Sequence, residues 1–515
     1  MTRRTPLLIA LAAALSIPPG YAADAPTGSA TAQSGRDERK PVDPDRRRVV
    51  RRTEEDEDRA QTALEIAREL GISADDARPE RQRESTLFGK RLILGGEVSA
   101  AMRGRGRYDL DESDKDLDGA AEAKLEAIWL PAESMAVFAS AKAFGETSRS
   151  RAGARTKRNA EVALDELWLL KTGLFDTPLA VQAGRQRLRD RREWWWDDSM
   201  EAVRVHYFGS DLTAFAGVGR KTATFSTEGP LDAEDRGLLN VFGHMDWEWN
   251  KRQHLELFAL RQNDRSRGYA IGDIVVRNRA DARDADLTWI GVRARGCIKP
   301  KFPRRLCYWS DVARVSGSER EFALDPFDAD NDIVDRIERR TVRGQAYDVG
   351  VSLELPFDPE PVLTLGRARG SGDRAGTPGR DGAFRQTGLH RNDGKYRGLS
   401  RFRYYGEVLR PDLSNIVIDT AAIGVPVGDA FWVETIWHRY RQPVADDRIA
   451  GSPVDTDPDG IHDDLGEEID VVLSYRPPTR WEFEMTGGAF RAGHAFGNSA
   501  GRWAGSLELK LDYNF

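Results

Sequence analysis

Arginines recur two residues apart in this chain, at Arg185 and Arg187, Arg293 and Arg295, Arg367 and Arg369, and Arg401 and Arg403. Side chains two apart on a strand share a face, so each pair presents two guanidinium groups to one side. Guanidinium stays charged and offers a planar fork that matches carboxylate, so such pairs attract acidic groups without covalent work. The other reading of each pair is an anchor at a headgroup rim or an exposed loop charge. Acidic residues repeat too: Asp114, Asp116 and Asp118 precede Gly119, and Asp455, Asp457 and Asp459 precede Gly460. Both runs fit the first half of a calcium loop, but Leu125 and Gly466 stand where the bidentate Glu belongs. They read either as calcium sites, with divalent ions bridging lipopolysaccharide, or as solvated acidic loops. Cys297 and Cys307 flank a Pro- and Lys-rich connection and read as a disulfide of an oxidising compartment, since a metal would need more ligands. His206, His244 and His254 are scattered and read as strand residues. No Gly-x-Ser-x-Gly elbow or motif-placed Ser/His pair supports a hydrolase, and catalysis is not expected.

The elements that carry these residues follow a period of two from Leu87 to Phe515. In the last segment Trp503, Gly505, Leu507, Leu509, Leu511, Tyr513 and Phe515 share a face, and Arg502, Ser506, Glu508, Lys510, Asp512 and Asn514 share the other. Tyr347, Val349, Val351, Leu353 and Leu355 alternate with Asp348, Ser352 and Glu354, and Ile469, Val471, Leu473 and Tyr475 alternate with Glu468, Asp470 and Ser474. Such strands suit lipid on one side and water on the other. Connections alternate between tight turns (130–134, 208–211, 249–253, 356–361, 426–429, 476–480) and longer polar stretches (109–118, 148–159, 226–237, 265–285, 317–342, 442–465). About nineteen strand candidates appear, and an even count is required if both termini lie on one side. Reading Arg401 to Ile423 as one strand with an irregular middle gives an all-β transmembrane antiparallel barrel of about eighteen strands, wide enough for water. The aromatic carboxy terminus, Tyr513 and Phe515, suits the end strand of an outer-membrane barrel.

Composition agrees. The chain has 515 residues, 31% of them charged, with 13 Trp, 20 Phe and a formal net charge of -7. That polarity excludes a bundle of membrane helices, each of which needs about 20 apolar residues. The one apolar stretch, Leu7 to Ile17, follows Arg3 and Arg4 and precedes Gly20-Tyr21-Ala22, so 1–22 reads as a signal peptide. Residues 23–86 read as a charged, low-complexity periplasmic tail with one short amphipathic helix (Ala60, Leu64, Ala67, Leu70). A docking arm for a periplasmic secretion partner is the alternative. Residues 87–515 form the barrel. Export leaves no role for nucleic acid, and oligomeric state is not legible.

Gly184-Arg185-Gln186-Arg187-Leu188, Trp194-Trp195-Trp196-Asp197 and Glu201-Ala202-Val203 together resemble the bacterial alginate export family of outer-membrane porins. The resemblance continues through Ala368-Arg369-Gly370-Ser371-Gly372, Gln386-Thr387-Gly388-Leu389, and Gly406-Glu407 with Leu413-Ser414-Asn415. It implies an 18-stranded barrel that passes an acidic polysaccharide, a polyuronate, outward through an arginine-rich constriction. It further implies pore positions at Arg187 and Arg369, and at Asp197 an acidic residue that holds the arginines in place. Two departures stand out. Asp165 occupies a position where the family pattern has a pore arginine, and the 476–480 turn is short where the family can carry a long periplasmic plug. The substrate is therefore alginate or a related polyuronate, with small anions or oligosaccharides as the alternative.

Overall fold

A strand wetted on one face and set in lipid on the other is buried on its polar side once the barrel interior is filled. Such inversion runs through the computed structural model: Ile469 is 46% exposed while Glu468 and Asp470, its neighbours in sequence, are 0% exposed. A sheet packed on a soluble core would show the reverse. The structure describes residues 83–515 except 111–114, 133, 151–155, 223–230, 232–234, 236, 265–267, 277–279, 329, 375–378, 397, 429 and 478–479. The expected signal peptide and the helix at 60–70 lie outside the described residues.

Among the described residues, eighteen strands make the wall. In chain order they are β1 (Lys90–Gly106), β2 (Lys115–Ala132), β3 (Met135–Ser150), β4 (Thr156–Lys171), β5 (Leu179–Arg189) and β6 (Asp197–Phe208). Then come β7 (Leu212–Arg220), β8 (Leu238–Asn250), β9 (Gln253–Asp264), β10 (Arg283–Ile298), β11 (Arg305–Pro326) and β12 (Asn331–Glu354). Last are β13 (Val362–Gly370), β14 (Ile416–Val427), β15 (Phe431–Arg441), β16 (Asp464–Tyr475), β17 (Trp481–Ala492) and β18 (Trp503–Asn514). Each pairs antiparallel with the next, and β18 pairs with β1 from Glu97↔Asn514 to Gly106↔Gly505, so the sheet closes. Closure satisfies every strand edge, the condition for spanning lipid. At the seam the backbones of Gly96 and Phe515 exchange two hydrogen bonds of 3.0 Å each.

Tight connections such as 209–211 and 251–252 lie at the end of the carboxy terminus, and long ones such as 371–415 and 442–463 at the other. Two expected boundaries change. The 317–342 stretch is not a loop: β11 and β12 pair through it from Gly317↔Val342 to Pro326↔Asp332, with one register shift between Ala323 and Leu324. Its charges serve as cross-strand pairs, as in Arg340–Glu321 at 3.1 Å. The expected strand from Arg401 to Ile423 begins only at Ile416. Pro411 has no amide proton for a ladder, and left-handed backbone at Gly406 (φ 101), Arg410 (φ 45) and Asn415 (φ 50) breaks the extended chain. The described residues of 371–415 instead fold into the barrel, as do 190–196. Together with the wall they bury an apolar core that includes Trp194, Trp195, Trp196, Phe258, Phe384, Leu413 and Tyr440.

Candidate functional site

Asp190 organises the first inward segment. Its carboxylate accepts the Arg192 amide (2.8 Å) and the Trp195 amide (2.7 Å), a local cap that turns the chain inward at the end of β5. Trp195 then stacks on Phe258 of β9, ring centres 4.8 Å apart, and sits against Gly291 of β10, where any Cβ would collide with its ring. Arg192 reaches the opposite wall and donates to Asp311 and Asp348, both at 2.7 Å, with its guanidinium over the rings of Trp309 and Tyr404. Arg293 completes the buried network by donating to Asp311 (2.5 Å) and Asp190 (2.9 Å). Paired in this way, the buried charges hold the segment in one position, whereas removing a single partner would leave an uncompensated ion.

The second segment is bolted to the first. Leu389 accepts the Asp197 amide at 2.5 Å, Glu193 accepts the amides of Arg391 (2.9 Å) and Asn392 (3.0 Å), and the Trp195 carbonyl accepts the Thr387 hydroxyl at 2.5 Å. Tyr405 donates to Asp348 and accepts from the Trp194 indole, both at 2.8 Å.

Where these segments meet β5 and β6, a charged surface forms. Arg187 clamps Asp197 through two bonds of 2.6 Å, and Arg391 approaches the same carboxylate at 3.2 Å. Glu193 receives Arg189 at 3.0 Å and Arg401 at 2.7 Å, and Arg403 lies 3.3 Å from Asp393. The carboxylates lie beneath the guanidiniums: side-chain exposure is 1% for Asp197 and 3% for Glu193, against 23% for Arg187, 34% for Arg401 and 59% for Arg391. Burial pushes the Glu193 carboxyl up to about 7, and the Asp197 charge adds to that rise against the pull of Arg401 and Arg189. On the neighbouring wall Asp165 lies 3.4 Å from Lys124 and 3.9 Å from Lys142, so two lysines stand beside this acid.

Of the sequence candidates, the structure brings together Arg187, Asp197, Arg401 and Arg403, the last two from the inward segment rather than from a strand of the wall. Arg187 escapes the alternation of β5 because the β4–β5 ladder stops at Leu167↔Arg185, and its amide donates to Glu166 at 3.1 Å instead. Arg185 does not join them. It stands opposite exposed Leu167 and pairs with Glu201 at 2.8 Å, on the outer face that Val203 and Val205 share. Arg293 and Arg295 are on the inner side but are packed into the wall; Arg295 pairs with Asp246 at 2.9 Å and with Glu256. Arg369, with Arg367, is on the outer face, a correction to the expected pore position. Register sets Arg369 opposite Tyr347, four residues beyond exposed Leu365 on the same face, while Thr364 and Ala368 turn inward. Sequence reading missed Arg189, Arg192, Glu193 and Arg391; the density of charge around the Trp run was the available signal for the first three.

The calcium candidates do not converge. Asp114 lies outside the described residues. Asp116 and Asp118 are on strand β2 rather than in a loop, and Asp118 pairs with Arg105 at 2.8 Å. Asp459 is consumed by its own turn: amides of His462 and Ile461 and the His462 ring bind its carboxyl, holding it down at about 2. Neither Asp455 nor Asp457 joins a ligand cluster among the described residues. Cys297 and Cys307 are opposite each other in the β10–β11 register and are bonded, S–S 2.12 Å.

The sequence model of the alginate export family matches residues 96–508, nearly the whole wall and both inward segments. The alginate production protein AlgE of Pseudomonas aeruginosa is 26% identical over 376 residues, covering 68% of this chain and 74% of that protein. Its namesake from Azotobacter vinelandii is 27% identical over 308 residues, covering 56% and 61%. Among solved structures, OccK5 (OpdH) and OpdQ of Pseudomonas aeruginosa each superpose with a TM-score of 0.50 at 10% and 9% identity, covering 82% of this chain and 98% of theirs, a likeness of fold. A closed barrel, an inverted apolar surface and a family pattern that spans both together make this chain a member of the alginate export family of the bacterial outer membrane.

Proposed function

We propose that the barrel conducts an acidic polysaccharide of the alginate type outward past the guanidinium surface formed by Arg187, Arg189, Arg391, Arg401 and Arg403. The observation that carries this reading is the layering of charge: carboxylates buried, guanidiniums partly exposed above them. A passing uronate therefore meets positive potential, and the acids beneath fix each fork in place. Because every guanidinium is already partly engaged, no single one grips a carboxylate tightly, and a polymer slides from one to the next. Conduction requires this balance between attraction and release.

In planar bilayers the purified protein should pass anion-selective current that soluble alginate blocks. Arg391→Glu, which leaves Asp197 with its Arg187 clamp, should lower the anion-to-cation permeability ratio about twofold or more, the effect expected of reversing one exposed charge at short range. Cation preference in the unaltered protein, or a ratio indifferent to Arg391→Glu, would refute the proposal.

A further inference from the structure

The outward arginines that the pore does not use mark a second site. Five neighbouring strands share a row of outward residues at one level, Leu365↔Ala421↔Trp437↔Ile469↔Ala489. Two residues farther from the carboxy-terminal end, the same strands read Arg367↔Asp419↔Arg439↔Glu467↔Arg491. The surface thus changes from apolar to charged within one step of the pleat. On β15 the outward residues below that step are Phe431, Val433, Thr435 and Trp437, and on β16 Tyr475, Leu473, Val471 and Ile469. Such a run spans roughly 20 Å along the strand and about 15 Å of height once tilted, the greater part of the apolar band an outer-membrane barrel presents. The charged row is therefore the boundary with the headgroups, at the end of the long connections, where the outer leaflet lies.

The outward charges at this row and beyond it, farther from the carboxy-terminal end, are of two kinds. Arg367 and Arg441 both lean on Asp419, at 3.1 and 3.2 Å, and Arg491 lies 3.7 Å from Glu467. Arg314, Arg343 and Arg369, on adjacent strands β11, β12 and β13, are exposed and have no ion-pair partner among the described residues. Their register brackets one patch: Arg314 faces Gln345, two residues from Arg343 on the same strand face, and Arg369 faces Tyr347, two residues the other way. A guanidinium on the lipid side of a barrel is costly toward the midplane and is retained at the interface, where an anion can meet it. Three unpaired forks around one Tyr and one Gln suit a ligand with several phosphate oxygens on a sugar headgroup.

The geometry points to Arg314, Arg343 and Arg369 as a binding site for the phosphorylated sugar headgroup of outer-leaflet lipopolysaccharide. Seated there, the lipid straps β11, β12 and β13 together on the outside, over the strands whose inner faces carry Asp311 and Asp348, the anchors of Arg192. The site is independent of the pore surface, so its success or failure is separable from that of the proposed transport.

The test uses the full chain purified in nonionic detergent, with unfolding followed by heat-dependent migration on gels. Added lipopolysaccharide should raise the transition by about 3–5 °C, as expected for a ligand that binds only the folded state. Enzymatically dephosphorylated lipopolysaccharide should give no rise. The Arg314→Gln, Arg343→Gln, Arg369→Gln triple variant should lose the rise while keeping its conductance; if it does not fold, Arg369→Gln alone should reduce the rise by about half. An undiminished rise in the variant that folds would overturn the site. So would an arginine-dependent rise produced by soluble alginate oligomers but not by lipopolysaccharide, which would make this face a polymer surface instead.

Discussion

Glu193 keeps its proton up to about pH 7 because it is buried beside Asp197. With its folded value raised from an ordinary 4.5, the folded protein binds more protons than the unfolded chain between these limits, so the stability contributed by this group falls as pH rises through that window. The same titration changes the pore surface. In acid, neutral Glu193 removes one negative charge from beside Arg401 and Arg189; toward pH 8 its carboxylate cancels one positive charge. Reversal potentials in a salt gradient should show anion selectivity declining about twofold from pH 5 to 8, and Glu193→Gln should flatten the profile. A flat profile in the unaltered protein would show that Glu193 does not hold its proton. Glu193 itself was not legible in the sequence, because its burial depends on Arg391 and Asn392, which arrive about two hundred residues later. The Arg187 and Asp197 pair was legible, being close in the chain and part of a distinctive run. Arg369 was misplaced although its own strand held the answer: Leu363 and Leu365 share its parity, and they face lipid.

At the scale of elements, the strands were the most legible part, since a lipid face and a wet face impose a period that nothing else in the chain imitates. The inward segments were not. Residues 371–415 contain short apolar runs that resemble strand fragments, and only contacts such as Tyr405 with Asp348, 57 residues away, decide that they fold inside. Their seats nevertheless leave a trace in the wall, as glycines. Gly291 is one: Gly291→Leu should push Trp195 off Phe258 and displace 190–196, lowering stability by about 1–3 kcal/mol, the usual range for overpacking. Because the displaced segment would vacate its packed position, single-channel conductance should become larger or noisier while the barrel stays heat-resistant. Conductance identical to that of the unaltered protein would mean that the Trp segment does not bound the open path.

Over the whole molecule, one seam carries the closure of the wall. Gly96 lies against the ring of Phe515, where a Cβ would clash, and their backbones exchange both hydrogen bonds. Gly96→Leu should therefore reduce the yield of closed barrel, seen as loss of the fast-migrating unheated band, with less effect on protein made; a normal band would show that the terminal clasp is dispensable. The eighteen-strand count was legible from the parity argument even though one of its strands was drawn too long, because the error moved a boundary and not a crossing. A last consequence follows from the packed interior. Lipid gives the outer wall no hydrophobic driving force for association, yet the Trp-rich cluster inside is sealed from water in the manner of a soluble domain. Melting this protein exposes that cluster, so the unfolding heat capacity should be well above that of a hollow barrel of equal strand number, and its stability should follow a curved temperature profile.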